Sequence, residues 1–114
     1  MPGIAKRVHG PAQVSNAATT KYTVPASSRF ILRHIHVQNP SGSPVTFTLS
    51  IGADAAGTRL YDAFSIPAAA AGERESVKDF YCYHVLEAAE IIQALAGTNL
   101  ILTLTLNGDL IQLS

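Results

Sequence analysis

The chain has 114 residues, 47% of them hydrophobic and only 14% charged, with eight basic side chains balancing eight acidic ones. That length implies one domain. Zero formal net charge, with no basic cluster longer than Lys6-Arg7, argues against nucleic acid as a main partner, and no run approaches the roughly 18 apolar residues of a membrane-spanning helix, so no membrane partner is expected.

Charge this sparse, against roughly 25% in an average soluble domain, defends a surface poorly against self-association. It suits a protein that works inside an assembly. The single cysteine, Cys82, allows no internal disulfide and fits folding in a reducing cytoplasm.

In chain order, residues 1–11 hold two prolines, two glycines and the Lys6-Arg7 pair. They read as an N-terminal arm with a short strand at residues 4–8, and the domain proper as residues 12–114; the arm either frays or drapes over a neighbouring subunit. Residues 12–20 are small and polar, with a turn at Asn16. Lys21-Tyr22-Thr23-Val24 is a short strand stopped by Pro25, and residues 26–28 turn into a strand over residues 29–38.

The alternation of that strand is imperfect. Ile31, Ile35 and Val37 share a parity with Arg33, while Phe30 and Leu32 share the other with His34 and His36. Either a bulge near Leu32-Arg33 resets the register, or the first half is covered on both faces, as at a subunit contact. Asn39-Pro40-Ser41-Gly42-Ser43-Pro44 is a turn, since two prolines remove two backbone donors. Residues 45–51 then alternate without fault, Val45, Phe47, Leu49 and Ile51 against Thr46, Thr48 and Ser50, which predicts one buried and one wet face.

After a loop at residues 52–57, residues 58–66 form a strand that begins properly near Ala63, because Asp62 sits on the apolar parity; Pro67 ends it. Residues 73–84 alternate in part and carry Phe80, Tyr81 and Tyr83, which suits a strand with aromatics on both faces. Residues 85–96 have helical propensity, yet in an all-strand chain they read as a turn at residues 86–89 and a strand over residues 90–95. Leu100, Leu102, Leu104 and Leu106 mark a further strand. Asn107-Gly108 is a hairpin signal, with residues 109–114 returning as the closing strand. About eight short strands separated by Pro, Gly and Asn turns predict an all-β fold, a single β-sandwich or jelly-roll-like domain.

Six segments, Tyr22-Thr23-Val24-Pro25-Ala26, Ile35-His36-Val37-Gln38-Asn39, Val45-Thr46-Phe47-Thr48-Leu49, Leu60-Tyr61-Asp62, Ile66-Pro67-Ala68, and Val85-Leu86-Glu87-Ala88 followed by the strand at residues 90–94, give the chain a pattern that resembles small virion proteins of tailed bacteriophages. The resemblance covers residues 22–106; the pattern usually carries glycine where Ala89 stands, and Ala tolerates positive φ poorly. It implies a compact β-sandwich, present in many copies, that decorates the capsid or belongs to a tail, neck or fibre. The partners implied are further copies of itself, a trimer favoured, and the major capsid protein or another virion protein. The location implied is the virion, its capsid surface favoured, after synthesis in the host cytoplasm.

Contact candidates under that reading are Lys6, Arg7, Phe30, Leu32, His34, His36, Tyr81 and Tyr83. His34-x-His36 places two imidazoles on one strand face, a geometry that binds zinc when a third ligand joins from His84, His9, Cys82 or an acid. The spacing is unspecific, and two interface histidines on a wet face is the reading adopted, with no metal and no cofactor expected. Cys82 and His84 share a face but stand about 7 Å apart along a strand, so Cys82 reads as a small buried hydrophobe rather than a nucleophile. The carboxylates show no paired motif, and no enzyme is expected. A carbohydrate-binding module, with Tyr61, Tyr81 and Tyr83 as a stacking platform, is the reading from a second class.

Overall fold

The computed structural model describes residues 4–55 and 57–113. Eight strands follow one another: β1 (Ile4–Gln13), β2 (Thr19–Thr23), β3 (Ser28–Asn39), β4 (Val45–Ile51), β5 (Arg59–Ile66), β6 (Ser76–Leu86), β7 (Ile91–Ala96) and β8 (Thr103–Gln112). They form two four-stranded sheets, sheet I in the order β1-β8-β3-β6 and sheet II in the order β2-β7-β4-β5. Every pairing is antiparallel. Apart from the β4–β5 hairpin, each consecutive pair of strands crosses from one sheet to the other, so the predicted all-β sandwich has the strand order of an eight-stranded jelly roll. Among the described residues no helix is long and apolar enough to cross a membrane.

The core lies between the sheets, where the inward parity of each strand meets its counterpart. Leu104 and Leu106 of β8, Ile35 and Val37 of β3, Phe47 and Leu49 of β4 and Ile92 of β7 are buried. Phe80 of β6 joins the two layers at one end, packing against Phe47, Tyr61 and Phe64 of sheet II. Contrary to expectation, Thr48 and Ser50 of β4 are buried too. β4 is an interior strand, and both hydroxyls are satisfied locally: Thr48 Oγ1 accepts from the Ala63 amide at 2.9 Å, and Ser50 Oγ donates to the Gly52 carbonyl at 3.0 Å. Ala63, with φ 49°, belongs to an irregularity where two residues of β5 face Thr48 alone, so β5 starts at Arg59 rather than near Ala63.

The parity conflict in β3 resolves as a bulge. Leu32 pairs with Gly108 and His34 with Asn107, so Arg33 has no opposite number on β8; toward β6, Leu32 pairs with His84 and His34 with Tyr81. Phe30 and Leu32 therefore point inward before Arg33, Ile35 and Val37 after it, and Arg33, His34 and His36 all face outward.

Two expectations are corrected. Asn107-Gly108 is not a hairpin turn: both residues lie inside β8, which runs unbroken to Gln112 and pairs with β1 and β3 on its two sides. Gly108 is needed there for close approach, because a Cβ would overlap the Ile31 carbonyl oxygen and the Phe30 ring. Its φ is not positive, so the turn chemistry is unused. The expected arm at residues 1–11 is, from Ile4 onward, strand β1, which pairs with β8 from Ile4↔Leu110 to Gln13↔Thr103. As the edge strand of sheet I it tolerates Gly10 and Pro11 through register shifts at Arg7–His9 and His9–Ala12. Met1, Pro2 and Gly3 lie outside the described residues.

The helix-prone segment at residues 85–96 is, as expected, the end of β6, a turn, and β7. Ala89 holds the turn at φ 70°, donating its amide to the Val24 carbonyl at 3.0 Å. An alanine there carries strain that glycine would not.

Three measurements check this account. Gly108→Ala should lower stability by about 1–3 kcal/mol in denaturant unfolding, because the added methyl has nowhere to go. Ala89→Gly should raise it by about 1 kcal/mol by releasing the left-handed strain. His9 on β1 has its Nε2 buried without a hydrogen-bond partner among the described residues, and burial, reinforced by Lys21, holds its pKa below 6.5. The unfolded chain therefore takes up this proton first as pH falls, so stability declines from about pH 6.5 down to the lowered folded value and is then flat for this group. His9→Leu should show a smaller loss of stability over that interval than the native chain.

Candidate functional site: the outer face of sheet I

Outward-facing side chains of β6, β3, β8 and β1 form one continuous surface, and the Arg33 bulge decides its composition. β3 contributes Arg33, His34 and His36. In the β3–β6 register His36 lies opposite Asp79 and His34 opposite Tyr81. The pairing draws three polar groups together: His34 Nε2 donates to Asp79 Oδ1 at 2.7 Å, and His36 Nδ1 donates to the same oxygen at 2.6 Å. These side chains are half-buried, at 25%, 29% and 34% exposure for His34, His36 and Asp79. Hydrogen bonds from His36 and then His34 hold the Asp79 carboxyl below its usual range.

Two further contacts set the His34 ring. The Tyr81 ring stacks on it, with centroids 4.9 Å apart and planes 16° from parallel. Asn107 Nδ2 donates to His34 Nδ1 at 3.1 Å, which places the imidazole proton on Nε2, where it faces Asp79. Beside this group Arg33 Nε donates to Asp109 Oδ2 at 2.5 Å, and the Arg33 guanidinium carbon lies 5.1 Å from the centre of the Tyr83 ring. An open depression of about 390 Å³ adjoins it, lined by Lys6, Arg7, Arg33, Asn107 and Asp109 among others.

The contact candidates separate sharply. Phe30 and Leu32 are corrected: both are fully buried in the protein's own core, Phe30 edge-on to Tyr22, because the bulge sets their parity inward. Lys6, Arg7, His34, His36, Tyr81 and Tyr83 line the depression or stand on the outer face. Tyr81 is 78% and Tyr83 61% exposed, in a row along β6 with Val77 and Val85 at 46% each. Tyr61 is not part of this platform, since it packs against Phe80 between the sheets.

Cys82 is a half-buried free thiol whose Sγ donates to the Leu32 carbonyl at 3.4 Å, and burial pushes its pKa up. A thiol so placed is a poor nucleophile at neutral pH. Asp79, Asn107 and the outward turn of Arg33 escaped the sequence reading as site residues. The only available signal for Asp79 was its shared parity with Val77, Tyr81 and Tyr83.

No family model matches the chain, and no curated protein matches it in sequence.

Proposed function

We propose that the protein is a structural subunit of a bacteriophage virion, a capsid decoration (cement) subunit that associates with its own copies, as a trimer, and with the major capsid protein. The observation that carries the reading is the exposed row Val77, Tyr81, Tyr83 and Val85 on β6. Two tyrosines and two valines on one face of an edge strand, broken only by Asp79 between Val77 and Tyr81, in a chain with so little charge, are what a buried contact needs. β6 is also the edge strand of sheet I, with one side of its backbone unpaired in the sheet. A jelly roll serves many roles, so the fold is compatible with this one without selecting it. The resemblance of the segments at residues 22–106 to small tailed-phage virion proteins supports the same role, with a tail, neck or fibre position as the neighbouring alternative. In this role the work is mechanical and no catalysis is involved. A specific contact buries about 800 Å² per partner, and Lys6 and Arg7, exposed on the opposite edge strand β1, are available to the shell.

A carbohydrate-binding module is the second reading. Its specific support is that Tyr81, 78% exposed, stacks on the His34 ring, which itself contacts Asp79 and Asn107, so an open aromatic ring stands next to a polar cluster as in a site that holds a sugar ring.

Light scattering over a range of concentrations separates the two. A closed oligomer that Tyr81→Lys and Tyr83→Lys convert to monomer, with circular dichroism unchanged, is the outcome expected of the subunit. A monomer at all concentrations that fails to occupy capsid shells, and whose tyrosine fluorescence responds to oligosaccharides, would replace it with the sugar-binding reading.

A further inference from the structure

We propose that His34, His36 and Asp79 form a binding site for a divalent transition-metal ion of the zinc class, with a coordination position open on the outer face of sheet I. The inference stands on the geometry of this triad and does not depend on the virion role.

A strand places residues i and i+2 on one face, about 7 Å apart along the chain, and two imidazoles at that spacing lean readily toward a point between them. Here a third ligand is supplied at that point by the neighbouring strand. One donor atom from each of the three side chains lies within 4.8 Å of the others, and both imidazole nitrogens already aim at one oxygen of Asp79. Ligand atoms at about 2.0–2.2 Å from a zinc ion stand about 3.5 Å apart, so side-chain torsions alone bring the three donors round a cation. The backbone need not move: β3 is held on both sides by β6 and β8.

The donor set selects the ion. Two imidazoles and one carboxylate suit zinc, copper or nickel and fit calcium or magnesium poorly, since those take oxygen ligands. Three protein ligands with an open fourth position is the pattern of a zinc site accessible to an outside molecule. The protons balance without loss. On binding, the Nε2 proton of a neutral His34 moves to Nδ1, and the Nδ1 proton of His36 moves to Nε2, which frees the two nitrogens that now face Asp79.

Asn107 is placed to accept that change. It contacts His34 Nδ1 through its amide nitrogen at 3.1 Å; turned over, the same amide offers Oδ1 to the relocated Nδ1 proton, the outer-shell partner that metal-bound histidines require. Stacking of Tyr81 fixes the plane of the ring while its other nitrogen is exchanged between proton and metal.

The test uses the full chain, freed of metal with a chelator and titrated with zinc chloride by calorimetry at about pH 7.5. One ion per chain should bind with a dissociation constant on the order of 10 μM or tighter. His36→Gln and Asp79→Asn should each weaken binding about 100-fold, and Asn107→Leu about 10-fold, whereas His84→Gln should leave it unchanged. Cobalt(II) in place of zinc should give visible ligand-field bands without a thiolate charge-transfer band. Should a variant fail to fold, histidine ring resonances of the native chain on adding zinc decide the matter: those of His34 and His36 should shift and those of His9 and His84 should not. Absence of uptake at about 100 μM zinc, equal binding by a folded His36→Gln variant, or a thiolate band that assigns the ion to Cys82 would each overturn the proposal.

Discussion

The bulge at Arg33 is the constraint on which the molecule turns. Strand β3 carries two apolar parities that cannot both face the core of a regular strand: Phe30 and Leu32 on one, Ile35 and Val37 on the other. Inserting one residue between Leu32 and His34 lets all four point inward. The alternative would leave two large aliphatic side chains in water and put two imidazoles in an apolar core, at a cost of several kcal/mol. Gly108 is the counterpart of the bulge on β8. Opposite Leu32, it leaves room for the Ile31 carbonyl and the Phe30 ring to close over the strand. Inward packing and outward chemistry thus share a cause, because the shift that buries Ile35 and Val37 also brings Arg33, His34 and His36 together on the outer face.

The sandwich was legible in the sequence wherever a strand has one wet face. The leucines at 102, 104 and 106 are buried and their neighbours half-exposed, as their alternation predicts. Val45, Phe47 and Leu49 are buried as theirs does, although Thr48 and Ser50 join them, and the reset in β3 showed as a break in parity. Local signals misled where pairing with a distant strand overrode them. Asn107-Gly108 has the composition of a tight turn, but β1 on one side and β3 on the other hold it extended, and Gly108 is present for clearance rather than for positive φ. Gly10 and Pro11 looked like the composition of an arm, but an edge strand needs fewer backbone donors than a central one, so β1 absorbs them. At Ala89 the fold did impose the left-handed turn that glycine would have announced.

The polar cluster was less legible, for a topological reason. His34 and His36 declare themselves by spacing, but Asp79 is 43 residues from His36, and its place opposite depends on the β3–β6 register. That stretch of the register, from His34↔Tyr81 to Asn39↔Ser76, is regular, but nothing along the sequence announces it, and it is the bulge that turns both imidazoles outward to meet the carboxylate. Asn107 was hidden by its reading as a turn residue. The exposed tyrosines and valines of β6 were visible as side chains, yet their common outward direction follows only from the side of sheet I on which the core lies.

What the outer face can do depends on its charge balance. Among the described residues three arginines are held in ion pairs, Arg29 with Glu87, Arg33 with Asp109, and Arg59 with Asp54 and Asp62, and of these Arg33 stands on the outer face. With neutral imidazoles the triad carries the single negative charge of Asp79, stabilised by two N–H donors. A bound divalent ion would turn that local charge from one negative to one positive, next to Tyr81 and within the surface that also presents Tyr83 and Arg33. Electrostatic effects of this size act chiefly on partner choice and association rate, while burial of the aromatic row supplies affinity. On this argument the β6 row and the His34–His36–Asp79 triad are separable in origin but coupled in effect: whatever covers the row must accept the charge state of the triad beside it.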